Sequence, residues 1–491
     1  MGLKESLEKY ALSDMTSFHM PGHKGRLDPL DVTELPGLDD LYAPEGMLKE
    51  ALECAAKRYG SDHCFYLVNG STVGVLTAIS AAVKRGGHLI MQRASHKSAY
   101  HAAMLRDLKL SYIYEDCDPL CGAGCGVSLD RVKDAVAADP EAEAVFITSP
   151  SYEGFAADVA AIASYLHSAG KKLIVDAAHG AHFAMSETFP QCAVAAGADM
   201  VVMSLHKTLP CPNQAALLHI KGERVSALRT NAFLSVYQTS SPSYSLMAVM
   251  DECINAGYDW EAFFDRRRRL SESLKGLKNI RLRDAYDGES VSPEPCKILL
   301  CPADGVSGTR LHEELRARGI EPEMSLPAYV LLICSVYDED EDYRKLAEAV
   351  KDIDDRWQSG GAAYAGEGCG HYGDGKDVCD SHGNDVQEDC DHYGQDRTHV
   401  VNVIQYGGYS IRCVKDAFAA MSLSDAWEAE YEDVPMAAAA GHISAASVMA
   451  YPPGRPILVP GEQITADILE EIDLLLKSGC SIRGIKADPV T

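Results

Sequence analysis

Short apolar runs that end in polar or small residues recur along the first half of the chain. They are CFYLVNGST (64–72), GHLIMQRASH (87–96), EAVFITSPSY (143–152), KKLIVDAAHG (171–180) and DMVVMSLHKT (199–208), separated by stretches of helical period. This alternation predicts strand–helix units from about residue 50 to 220, with a buried, largely parallel sheet between helices. The carboxyl ends of such strands line one crevice. Each run closes there on chemistry-bearing residues: Gly70, Ser71 and Thr72; Ser95, His96 and Lys97; Ser149, Pro150, Ser151 and Tyr152; Asp176 with His179; Ser204, His206 and Lys207. One such ending is ordinary punctuation, but five on one edge predict a site.

From about 221 to 285 the pattern turns helical, and the stretch after Ser241-Pro242 predicts one long helix or two joined ones. The arginine run 266–269 reads as a solvated helix face. KILLCPA and AYVLLICSV then predict strands of a second, smaller α/β domain. Residues 358–400 are rich in Gly, Asp, His and Cys and nearly free of large aliphatics, the composition of an acidic, flexible insertion. Its Cys369, His371, Cys379, His382, Cys390 and His392 invite a metal reading, but their spacing matches no compact zinc knuckle, and no metal site is assigned. The expected organisation is an N-terminal arm (1–48), a large crevice-bearing domain (49–285), a small α/β domain (286–357), the insertion (358–400) and a C-terminal domain containing YPPG (401–491).

Composition narrows the partners. With 491 residues, 46% hydrophobic and 24% charged, the chain has the profile of a multidomain globular protein. Its formal charge of -27 argues against nucleic acid and mildly favours cationic substrates. No segment reaches the roughly 18 apolar residues of a membrane span, and none resembles a signal peptide, so a cytoplasmic location without a membrane partner is expected. The 16 cysteines then read as mostly reduced thiols, with Cys117, Cys121 and Cys125 in a glycine-rich turn.

The strand ends combine into one chemistry. A lysine at the end of a buried strand loses hydration, which frees its amine for attack on a carbonyl; an isolated one would more simply reach for solvent. Lys207 is not isolated, because Asp176 closes a strand one helix-plus-strand unit earlier and can keep a pyridine nitrogen protonated. Ser71 and Thr72 open a helix whose amides and hydroxyls suit an anion, and Ser204 and His206 stand beside the lysine. His96 can stack on a ring or move protons. Phosphate cradle, ring stacker, acid and amine are what pyridoxal 5'-phosphate requires, although each taken singly has a plainer reading as a cap or turn.

The sequence also resembles the prokaryotic Orn/Lys/Arg decarboxylases, a family of aspartate aminotransferase-like fold (fold type I). The resemblance rests on SFHMPGHKG (17–25), LPGLDDLYAPEG (35–46), NGST (69–72), SHKS (95–98), DAAHG (176–180), SLHK (204–207), TSSPSY (239–244) and YPPGRPILVPGE (451–462). It implies an α/β large domain with a mostly parallel central sheet, smaller C-terminal α/β domains, and the compact branch that lacks an N-terminal flavodoxin-like domain. It further implies Lys207 as the cofactor-bearing lysine, Asp176 as partner of the pyridine nitrogen, His96 stacked over the ring and His179 close to it. Ser71, Thr72, Ser204 and His206 would be phosphate and loop ligands. Thr239 matches a hydroxyl that reaches the phosphate from a neighbouring subunit, which calls for a homodimer or larger homo-oligomer with shared active sites.

The implied reaction is Schiff-base exchange at Lys207 followed by decarboxylation of a basic amino acid. Arginine to agmatine ranks first, then lysine to cadaverine, then ornithine to putrescine. An aminotransferase or other lyase on the same scaffold is the alternative, and a non-enzymatic metal-binding or regulatory protein a remoter one. Glu462 is a weaker candidate for facing the substrate's basic end. His19, His23 and Lys24 are read as shaping the arm.

Overall fold

The computed structural model describes residues 2–289, 291–303, 305–359, 404–406, 409–411, 420–450 and 455–485. After α1 (Leu3–Ala11) an irregular arm leads to α2 (Met47–Tyr59) and into a seven-stranded sheet. Its strands are β1 (His63–Leu67), β2 (His88–Gln92), β3 (Lys109–Ile113), β4 (Ala144–Thr148), β5 (Lys172–Asp176), β6 (Met200–Ser204) and β7 (Ala216–Ile220), in the order β1-β7-β6-β5-β4-β2-β3. Helices α3 (Gly70–Ala82), α4 (Lys97–Leu105), α5 (Leu129–Ala138) and α6 (Val159–Ser168) connect them, and the one-turn α7 (Leu205–Thr208) follows β6.

The central strands are apolar throughout because both faces are covered. Along β4, Val145 and Ile147 join one apolar cluster while Ala144 and Phe146 join the other, the period-2 alternation of a strand between two helix layers. Pairings from β3 across to β6 are parallel, as expected; β7, which the apolar runs did not suggest, is antiparallel to both neighbours.

Three helices follow: α8 (Ala227–Tyr237), α9 (Tyr244–Asn255) and α10 (Trp260–Ser273). The stretch after Ser241-Pro242 is therefore two helices. Each has its own cap, Ser243 accepting from the Leu246 amide at 3.3 Å and Asp259 from the Ala262 amide at 3.0 Å. The arginine run is only in part the solvated face that was expected. Helical periodicity turns Arg267 inward, where it is fully buried against Asp284 at 3.1 Å and the Pro295 carbonyl at 2.9 Å.

A four-stranded antiparallel sheet comes next, with β8 (Ile280–Asp284), β9 (Lys297–Pro302), β10 (Met324–Leu326) and β11 (Tyr329–Ile333) in the order β10-β11-β9-β8. Helices α11 (Gly308–Arg316) and α12 (Asp340–Ser359) accompany it. Beyond them lie the short pair β12 (Ile404–Tyr406) and β13 (Tyr409–Ile411), then α13 (Leu423–Glu428). The C-terminal part adds β14 (Val448–Ala450), β15 (Arg455–Leu458), α14 (Ala466–Lys477) and β16 (Ile482–Arg483). The cysteine and histidine residues of the 358–400 segment and the YPPG motif fall outside the described residues. The described cysteines are free thiols, and no described helix is long and apolar enough to cross a membrane.

Candidate active site

Sheet register brings the strand ends together. Ala216, the first residue of β7, pairs with Leu67 on one side and Ser204 on the other, so β1 and β6 finish at one level despite the antiparallel strand between them. The neighbouring pairs Thr148–Asp176 and Asp176–Val202 align β4, β5 and β6 on the same edge. Met91 of β2 lies opposite Phe146 of β4, so five carboxyl ends share that edge.

At the β1 end, Gly70 takes a left-handed φ of +77° as the chain turns into α3. The helix carries no acid in its first turn and no side-chain cap, because Asn69 instead accepts from the Thr239 amide at 2.9 Å. Ser71 is half-buried and Thr72 exposed at this uncapped N-terminus, which suits an anion. Thr239, expected to act across a subunit boundary, stands beside the cradle of its own chain.

At the β6 end, Ser204 is fully buried and its hydroxyl has no partner among the described residues. His206 is half-buried, its Nδ1 bonded to the Ala215 carbonyl at 3.1 Å. Lys207 Nζ lies 3.2 Å from His179 Nε2. Burial lowers the Lys207 pKa, partly offset by Asp176 and Glu323. Asp176 is itself buried, which raises its pKa against the pull of Lys207, and its Oδ1 accepts from the Ala178 amide at 3.0 Å. His96 caps α4 through Nδ1, 2.8 Å from the Ser98 hydroxyl, and burial together with Lys207 lowers its pKa to about 4. It is a neutral imidazole at physiological pH.

Four further residues complete the site. Lys297, at the start of β9, places Nζ 2.9 Å from His179 Nδ1, so one imidazole touches two lysines. Tyr152 lies edge-on to His179 with ring centroids 4.6 Å apart, and its hydroxyl donates to Glu323. Behind Lys297, the Glu294 carboxylate lies 3.0 Å from His182 Nε2 and accepts from the Cys296 amide at 2.7 Å. Tyr152 was visible as a strand-end residue but not assigned a role. Lys297 carried a signal too, since it borders an apolar run as Lys207 does, only at the opposite end. Glu323 and Glu294 had none, being brought in by the second sheet.

Glu462 does not face the crevice as a free carboxylate. It is buried in an ion pair with Arg93 at 2.9 Å.

A half-buried amine, a buried acid, two imidazoles and an uncapped helix end thus gather along one sheet edge of an α/β fold. The chain belongs to the Orn/Lys/Arg decarboxylase family: the profile of its major domain matches residues 29–293, and that of its C-terminal domain residues 413–481. It is 31% identical to uncharacterized protein YaaO of Bacillus subtilis over 98% of this chain and 95% of the relative. Identity to an arginine decarboxylase of Halalkalibacterium halodurans is 29%, covering 98% and 94%. Lysine decarboxylase A of Pseudomonas aeruginosa superposes with a TM-score of 0.76 at 19% identity, covering 99% of this chain and 77% of that one, a likeness of fold. The α/β class with a mostly parallel central sheet is thus the one observed.

Proposed function

We propose that the chain is a pyridoxal 5'-phosphate-dependent carboxy-lyase acting on a basic amino acid, with arginine the favoured substrate, then lysine, then ornithine. The observation that carries this is the amine of Lys207, held 3.2 Å from a neutral His179 in the crevice that also contains the buried Asp176. The residues present fit the cofactor. The partnerless Ser204 hydroxyl and the uncapped end of α3, with Ser71, Thr72, His206 and Thr239, supply donors for a phosphate, and His96 supplies a flat ring. Lys207 would hold the aldehyde carbon covalently, and Asp176 would keep the ring nitrogen protonated. When bound, the cofactor supplies an electron sink for the carbon that loses carbon dioxide.

The chain's own groups do the rest. Burial lowers the pKa of Lys207, which eases loss of the proton its amine must shed before it can attack. His179 and His96 are neutral, and His179, with a lysine at each ring nitrogen, passes a proton on by giving one up at one nitrogen as it takes one at the other. Glu323, hydrogen-bonded to Tyr152, places a carboxylate near Lys207 on the open side of the site, complementary to a cationic substrate. Exposed apolar residues of the arm and α1 end, among them Leu12, Met15, Phe18 and Leu27, support assembly with a second copy.

Incubation with arginine, lysine and ornithine, with and without pyridoxal phosphate, tests the reading. Agmatine should form first and fastest, without any keto acid. Amine formation that depends on a keto acid, or none with any substrate, would overturn it. Borohydride trapping and peptide mapping should label Lys207.

A further inference from the structure

Both ring nitrogens of His179 are within hydrogen-bonding distance of a lysine amine: Nε2 at 3.2 Å from Lys207 and Nδ1 at 2.9 Å from Lys297. A neutral imidazole has one N–H and one acceptor nitrogen. Whichever tautomer is present, one lysine donates to the ring and the other accepts from it. An ammonium has no lone pair to accept with, so the two lysines cannot both be charged while both bonds stand.

We propose that Lys297 is a positioning residue for Lys207, the two amines sharing a single positive charge through His179. This rests on Lys207 being the reacting amine. In the resting arrangement the Lys297 ammonium donates to His179 Nδ1, and His179 Nε2–H donates to the neutral amine of Lys207. A proton passed from Nε2 to Lys207 is replaced at Nδ1 by one from Lys297. The charge crosses the ring without solvent and without net uptake.

Burial lowers the pKa of both amines, and the carboxylates around them favour the charge at the Lys297 end. Lys297 is fully buried and faces Glu294, Cys296, Glu323, Tyr152 and His179. Lys207 faces Asp176, Glu323, His96, His206, Tyr152 and His179. Burial would raise the pKa of Glu294, but His182, Lys297 and the Cys296 amide outweigh it, so that carboxyl stays ionised. Asp176, by contrast, is pushed up by burial and has one backbone donor. The firmer anion therefore stands beside Lys297. Gly154 makes room: a Cβ there would meet Lys297 Cγ at 2.4 Å and Glu294 Cγ at 3.4 Å.

The test reads Lys207 itself, in the full chain stripped of cofactor. Reductive methylation with formaldehyde and cyanoborohydride across a pH series, quantified on the Lys207 peptide, gives the pH of half-maximal labelling. Lys297→Met should move that pH upward by about one unit, an approximately tenfold loss of labelling at neutral pH, because Lys207 then keeps the whole charge. Lys297→Arg, which retains charge and donor, should restore the wild-type profile. A Lys297→Met profile that overlays wild type overturns the proposal, as does Lys297→Arg shifting as far as Lys297→Met. If Lys297→Met does not fold, Lys297→Gln is held to the same criterion. Failure of the functional reading is separate, since it would appear as borohydride labelling at a residue other than Lys207.

Discussion

Arg93 and Glu462 form a buried ion pair at 2.9 Å that fastens the C-terminal segment to the loop leading into His96. Arg93 also donates to the carbonyls of Pro456 at 3.1 Å and Ile457 at 3.2 Å, and to the Tyr100 hydroxyl at 2.9 Å. Arg93→Ala strands a buried carboxylate and should cost about 3–5 kcal/mol in urea unfolding, whereas Arg93→Met with Glu462→Leu should recover most of that loss. If Arg93→Ala unfolds at the wild-type midpoint, the pair is not what holds the segment.

Asp176→Asn keeps the shape of the side chain and removes its charge. Product formation should fall by about 100-fold or more, the scale of losing one preorganised electrostatic group. Borohydride labelling of Lys207 should persist in Asp176→Asn and disappear in Lys207→Ala. Equal loss of labelling in both would mean that Asp176 serves binding rather than chemistry.

His219 on β7 is fully buried, with Nδ1 3.0 Å from the Ser61 hydroxyl, and burial lowers its pKa to about 3. Unfolded, it takes a proton below about pH 6.5. The unfolded state therefore binds more protons than the folded one between these values, and stability falls as pH falls. From about pH 7 to about pH 5 the loss attributable to His219 is about 2 kcal/mol, and His96, lowered to about 4, adds to the same slope. Urea midpoints across this range should show a shallower slope in His219→Gln; an unaltered slope would count against this assignment.

Gly154 has a φ of +99° and lies under Lys297. Gly154→Ala places a methyl against Lys297 Cγ and strains the backbone, for an expected loss of about 1–3 kcal/mol by thermal or urea unfolding. The same variant should shift the Lys207 labelling profile upward by displacing Lys297 from His179. A destabilised variant with an unshifted profile would separate packing from the relay.

Much of the site was legible because its parts are local. Asp176, Ser204 and Lys207 each terminate an apolar run or follow one directly, and Ser71 and Thr72 follow a strand into a helix, so a few neighbouring residues suffice to place them. The helix break at 256–259 was harder to see, since a single cap such as Asp259 is also common within loops. Arg267 was misread for a related reason: four consecutive arginines look uniformly polar until the helix rotates one of them by its period into the core.

The amino-acid sequence by itself determined the strand–helix alternation, the edge on which the candidate residues gather and the place of Lys207 on it, because hydrophobic period and strand-end residue types act over short chain distances. Only the tertiary structure decided that Lys297 meets His179 across 118 positions. The same holds for Glu323 closing on Tyr152 and for Glu462 spending its charge on Arg93 instead of a substrate. Those partners come from the second sheet and the C-terminal segment. Their contacts depend on how separately folded layers pack, which no local pattern encodes.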